Sequence, residues 1–164
     1  MKTKLIIADA GPLFSLAAVD QLHILLELFE DVKIPQAVWE EITLDETTEI
    51  YPLLHDFFST KVVPIKGFND LTFVMDYGES ESVILYRELN ADFLLIDDKK
   101  ARAIAESFEI NCIGTLGILS AARTKKLIPK LRPIFQKLIA ENRFCAIELL
   151  NVILKKHGED EVQV

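Results

Sequence analysis

The chain is poor in the residues that build small secreted scaffolds and zinc clusters. Only Cys112 and Cys145 occur in 164 residues, not as a CxxC pair and with no histidine close by, so neither a disulfide framework nor a zinc cluster is expected. A reducing compartment fits best. His23, His55 and His157 are each solitary and read as surface or packing residues rather than ligands. Uninterrupted apolar runs such as Leu5 to Ala8 and Phe93 to Ile96 fall far short of the roughly 18 residues that a membrane crossing needs. The amino-terminal MKTKLIIADA meets Asp9 before a signal-peptide core is complete, so a cytoplasmic protein with no membrane span is expected. Positive charge is also in short supply: 18 Lys and Arg stand against 26 Asp and Glu, for a net charge of -8. That balance counts against a protein that simply coats nucleic acid.

What is present is a chain able to build a core. Half of its residues are apolar and 27% are charged, which suits one globular domain over residues 1–164, with terminal helices from about residue 130. Lys4 to Asp9 is a short apolar run ending in an acid, the pattern of a strand buried on both faces. Gly11-Pro12 breaks it, and Leu16, Val19, Leu22, Leu25, Leu26 and Phe29 then follow helical spacing, with Asp20 a cap between two helices. Val32 to Ile34 predicts a second strand, and Pro35 opens a helix through Ile42. Residues 43–77 carry weaker signals: a polar linker, a short helix from Ile50 to Phe58, and an edge strand from Lys61 to Lys66 broken by Pro64. Beyond Gly78 the alternation resumes. Helices are predicted at Glu79–Leu89, Ala101–Phe108, from Thr115 to about Lys125, near Ile134–Ala140 and near Ala146–Lys155, with strands at Phe93–Ile96 and Ile110–Ile113. Strands alternating with helices predict an α/β fold with a parallel sheet covered on both faces.

In such a sheet the ligand crevice lies at the carboxyl ends of the strands. Asp9 and Asp97 each follow four apolar residues at a strand end, so two sequence-distant strands deliver carboxylates to one edge. Either acid alone reads as a turn or cap. Glu41 shares a helical face with Val38 and Ile42, while Glu40 sits to one side. Glu81 shares a face with Ile84 and Leu85, whereas Asp76 and Glu79 fit a D-x-x-E capping pattern that gives Glu79 a structural role of its own. Carboxylates gathered without basic partners repel one another unless a cation neutralises them. Hard oxygen donors favour magnesium or manganese over zinc. Such an ion orients a phosphodiester and activates water, which is nuclease chemistry. Residues 99–143 hold ten of the 18 basic residues and only Glu106, Glu109 and Glu141 among the acids, a stretch suited to a polyanion or simply to a solvated face.

The segments IIADAGPLFSLAAVDQL at 6–22, IPQAVWEEI at 34–42, GESESVILYREL at 78–89, LLIDDKKAR at 94–102 and IGTLGIL at 113–119 together resemble PIN-domain ribonucleases, and more narrowly the VapC-like toxin branch of toxin-antitoxin systems. Each motif is weak alone; their joint order covers nearly the whole chain. The resemblance implies a three-layer α/β/α sandwich with a central, mostly parallel sheet, a Mg2+ or Mn2+ site and endonucleolytic cleavage of RNA. Matched residue by residue, Asp9, Glu41 and Asp97 correspond to family acids that hold the metal, with Glu40 and Asp98 as alternates. The remaining catalytic acid falls on Glu79 or Glu81. Where many relatives carry a hydroxyl residue after the first Asp this chain has Ala10, which passes water orientation to Ser15 or Thr115. Lys99, Lys100, Arg102, Arg123, Lys125 and Lys126 are expected beside the acids, where they would position phosphates. The resemblance further implies a small antitoxin partner whose Arg or Lys enters the acidic pocket, and a homodimer, for which Leu22 to Phe29 is a possible surface. A haloacid-dehalogenase phosphatase would need a second Asp where Gly11 stands, a receiver domain needs acids and a lysine laid out otherwise, and G-x-G-x-x-G is missing. The competing reading is a PIN-like module that binds or assembles without cleaving.

Overall fold

The computed structural model describes residues 3–144 and 146–163, with Thr3 described through its backbone alone. Cys145 therefore lies outside the described residues; Cys112 is a free thiol, and burial pushes it up to about 11. The elements run β1 (Thr3–Ala8), α1 (Ala10–Ala18), α2 (Ile24–Leu28), β2 (Phe29–Lys33), α3 (Gln36–Ile42), α4 (Tyr51–Phe58), α5 (Tyr77–Glu88), β3 (Phe93–Leu95), α6 (Lys99–Ser107), β4 (Cys112–Ile113), α7 (Thr115–Thr124), α8 (Arg132–Ala140) and α9 (Ile147–Lys156). The four strands pair in parallel in the order β2-β1-β3-β4, with Ile6 opposite both Val32 and Phe93. The expected three-layer α/β/α architecture is the observed one.

Strand alternation explains the layers. Ile6 and Ala8 face a core shared with α1, α2, α7, α8 and α9, while Ile7, Leu94 and Ile96 face a second core under α5 and α6. Both faces of β1 are therefore dry, and Ile6 and Ile7 are fully buried. Each such side chain contributes about 1.5–3 kcal/mol over an exposed one. The loop before β3 is tied to β1 by a reciprocal pair: the Leu5 N–H donates to Asp92 Oδ2 and the Asp92 N–H to the Leu5 carbonyl, both at 2.9 Å.

Four expectations need correction. The Lys61–Lys66 strand is only a bridge, Ile34 with Val62, because Pro64 lacks an N–H and the chain leaves the sheet there. Helix α1 begins at Ala10 instead of after Gly11-Pro12, since Pro12 falls in its first turn, where a missing N–H costs nothing. Leu22, Ile24, Leu25, Leu28 and Phe29 are core, not a dimer surface. Asp20, in place of a helix N-cap, is the left-handed residue that ends α1, with φ of 56°.

Candidate active site

The sheet order puts its switch point between β1 and β3, where connections leave in opposite directions and open a crevice at the carboxyl ends. Asp9 sits there as the N-cap of α1, its N–H bonded to the Leu95 carbonyl at 2.9 Å. Only 8% of Asp9 is exposed. Burial, together with the charges of Glu79, Asp76 and Glu41, pushes its carboxyl up to about 8 against the pull of the Ala10 N–H. Glu41 is also raised, first by burial and then by Asp76. Glu79 is raised by burial and by Asp76 and Asp98, partly offset by its hydrogen bond to the Asp76 backbone. Among the described residues none of these carboxylates forms an ion pair with Lys, Arg or His.

Gly78 permits the gathering. A Cβ there would come within 3.2 Å of Glu41 Oε2 and 3.4 Å of Asp9 Oδ1, so α3 and β1 present their acids around the one residue of α5 that has no side chain. Asp76 caps α5, accepting from the Glu79 N–H at 2.8 Å while Glu79 Oε1 accepts from the Asp76 N–H at 3.1 Å. This capping box was legible in D-x-x-E. The proximity of Asp76 to Asp9 was not, because it depends on how α5 crosses β1.

Glu79 and Glu81 separate cleanly. Glu81 is 6% exposed and accepts the Ala37 N–H at 3.0 Å, closing an orphan donor of the first turn of α3; its charge and its hydrogen bond raise the Tyr77 phenol. The spacing that placed Glu81 on an inward face was sound, but its partner is a backbone donor of α3. Glu79 is the one of the two whose charge bears on Asp9.

Asp97 lies two residues beyond β3 and is held by Thr115, whose N–H donates to Oδ1 at 2.8 Å and whose hydroxyl donates to Oδ2 at 2.6 Å. Gly114 makes room: an added Cβ would lie 2.9 Å from Asp97 Oδ1. Asp98 caps α6 through the Ala101 N–H. Glu40 is exposed, within 3.5 Å of Gln36 Nε2. Ser15 is buried and accepts from Arg143 Nε at 3.0 Å, with Arg143 also donating to the Gly11 carbonyl.

The basic residues divide. Lys100 shares a cavity with Asp76, Glu79 and Asp98, and Lys99 and Arg102 share one with Asp97. Helix α7 starts beside Asp97 and runs ten residues away from it. Arg123, Lys125 and Lys126 thus lie roughly 12–17 Å along the helix from the acids, and the expectation that they sit beside the pocket does not hold. Arg123 is instead paired with the buried Glu159 at 3.0 Å.

Among the described residues no group of three or more His, Cys, Asp or Glu side chains forms a ready-made metal cage. The donor set nevertheless fits magnesium or manganese, which take one or two carboxylates and keep several waters, and the unpaired Asp9 and Glu41 oxygens around Gly78 supply such a pair. No helix among the described residues is long and apolar enough to cross a membrane.

A comparison with curated proteins finds no match. A family model described as PIN domain matches residues 5–159, from β1 to the segment after α9. PIN domains are generally nucleases that use divalent metals. An acid at the end of β1, two more at the start of a helix crossing it and a fourth on α3 are thus features of a chain that belongs to the PIN-domain family.

Proposed function

We propose that the acidic pocket hydrolyses phosphodiester bonds in RNA with Mg2+ or Mn2+. The observation that carries this reading is the buried, unpaired Asp9, raised to about 8 with Glu79, Asp76 and Glu41 bearing on it. A buried carboxylate with like charges around it destabilises a fold unless a cation binds there or a proton is taken up. Asp9 and Glu41 would hold the cation, and Asp97, fixed by both Thr115 donors, would complete its shell through water. When bound, the ion supplies a Lewis acid for the phosphate and lowers the pKa of an attacking water. Glu79, held by its capping box, is placed to act as the base that would take a proton from such a water; Asp98 at the start of α6 adds negative potential beside Glu79. Lys99 and Arg102 bind flanking phosphates from the Asp97 side. With the Thr115 hydroxyl engaged by Asp97 and Ser15 engaged by Arg143, both act by holding their neighbours in place.

The family resemblance supports a toxin role, in which a small antitoxin places Arg or Lys among Asp9, Glu41 and Asp97 and substitutes for the cation's charge. A homodimer and a cytoplasmic location belong to the same reading.

The decisive experiment incubates purified protein with single-stranded RNA and Mn2+, with and without chelator, beside Asp9→Asn. Cleavage that needs metal and falls at least about 100-fold in the variant is expected. Metal-independent cleavage, or equal rates in both proteins, would remove the active-site assignment; binding without cleavage would favour the assembly module.

A further inference from the structure

Two phenylalanines stand almost fully in solvent between α4 and α5: Phe68 is 88% and Phe73 87% exposed. The segment that carries them is fastened. Lys66 and Gly67 N–H groups both donate to the Glu88 carboxylate, Asn69 Nδ2 donates to Ser80 Oγ at 2.9 Å, and Asn69 Oδ1 accepts from the Leu71 N–H. Leu71 and Met75 are buried in the core under α5, and the Val74 and Met75 N–H groups both donate to the Leu71 carbonyl. Phe73 is thus held out by a built turn whose neighbours are anchored on either side of it.

Its position distinguishes it from Phe68. Phe73 and Val74 form one wall of the cavity that contains Asp76, Glu79, Asp98 and Lys100. On the other flank of Asp76, the half-exposed Tyr77 borders the cleft that contains Glu41 and Gly78. One aromatic ring therefore stands on each side of the acids, and Phe68 borders neither cavity.

We propose that Phe73 is a stacking platform for an unpaired nucleobase next to the scissile phosphate, with Tyr77 serving the nucleotide on the opposite side. This rests on reading the acidic pocket as the RNA-cleaving site. The chemistry selects the occupant. Beside Asp76, Glu79 and Asp98 a phosphate meets three carboxylates and one lysine, and the flanking cations Lys99 and Arg102 lie on the Asp97 side, so on this side the strand needs a grip that does not depend on its charge, and the faces of the bases are neutral and apolar. A protein segment covering Phe73 without cations of its own would have to desolvate Asp76, Glu79 and Asp98 together. Bases within a duplex are already stacked, so the platform selects single strands or loops.

The test measures binding of a labelled single-stranded RNA to the Asp9→Asn protein, which keeps the platform while preventing turnover. Phe73→Ala should weaken binding about tenfold and Phe73→Trp should preserve it. Phe68→Ala should leave it unchanged. One abasic nucleotide in the RNA should produce the same loss, with no further loss when combined with Phe73→Ala. A hairpin stem of the same sequence should bind alike to both proteins. Unchanged binding by Phe73→Ala, or equal losses from Phe68→Ala, would overturn the proposal. The two readings fail separately: cleavage by wild type with KM unmoved by Phe73→Ala sinks the platform alone, whereas Phe73-dependent binding without metal-dependent cleavage sinks the nuclease assignment alone.

Discussion

At the scale of single residues, Asp9 couples stability to pH in the direction opposite to most carboxylates. Its folded value of about 8 lies above the ordinary 3.8, so between those limits the folded protein keeps a proton that the unfolded chain has lost. Stability of the metal-free protein should therefore fall as pH rises from about 4 to about 8, by an amount on the order of 5 kcal/mol, and level off above that. Asp9→Asn removes the titrating group and should flatten this part of the curve, making the variant the more stable protein at pH 8. Urea unfolding with chelator between pH 5 and 9 checks it; parallel curves for the two proteins would show that Asp9 is not titrating there. Mn2+ should restore wild-type stability at pH 8 in proportion to its occupancy, and not that of Asp9→Asn.

At the scale of elements, the scarcity of glycine has a structural signature. Helices α1, α5, α6, α7, α8 and α9 each end with an N–H reaching back five residues, such as Leu127 to the Ala122 carbonyl at 2.9 Å, across a residue of positive φ. Only α9 has a glycine there, Gly158; the others place Asp20, Asn90, Glu109, Lys126 and Asn142 in the left-handed region. Asn and Asp tolerate it, whereas Glu109 and Lys126, both at φ of 63°, strain against their own Cβ. Glu109→Gly and Lys126→Gly should each stabilise the fold by about 0.5–1 kcal/mol, read as a higher urea midpoint at unchanged slope. Such helix endings were invisible to apolar spacing, which marks where a face is buried and not how a turn closes. The spacing did reveal β1, β3 and the long helices, because buried runs and amphipathic stripes are written in neighbouring residues. It failed over Lys61–Lys66, where Pro64 and the lack of a further edge partner decide the outcome, and although it gave the length of α7 it did not show that the helix carries Lys125 away from Asp97. For the candidate site, the strand-end acids were legible one at a time; Asp76 joined them only through the crossing of α5 over β1, and Glu81 left them only through its bond to Ala37.

At the scale of the whole molecule, a chain of net charge -8 needs its cations placed rather than numerous. Lys99 and Lys100 open α6 at the edge of the acidic crevice, and Lys125 and Lys126 stand at the end of α7. Replacing Lys99 and Lys100 with Glu should weaken RNA binding and reduce the slope of log K against log salt by about 0.7 for each phosphate no longer neutralised. The Lys125→Glu, Lys126→Glu pair should change both quantities less. Salt titrations of the two double variants decide the matter, and equal slopes would place the phosphates along α7 as much as α6. The sheet order carries one more consequence, for the moment of synthesis. Strand β1 is bracketed by a partner made soon after it and by a partner whose anchoring residue, Asp92, is 87 positions from Leu5. On a ribosome adding about 5–20 residues per second, Asp9 and Glu41 are exposed for several seconds before α5 and β3 are made. A nascent or truncated chain ending before β3 holds its first acids in water at their ordinary pKa, beside an unpaired strand edge. Such a fragment should leave RNA uncut and be open to proteases, so the proposed cleavage would wait for the carboxyl-terminal half to be translated.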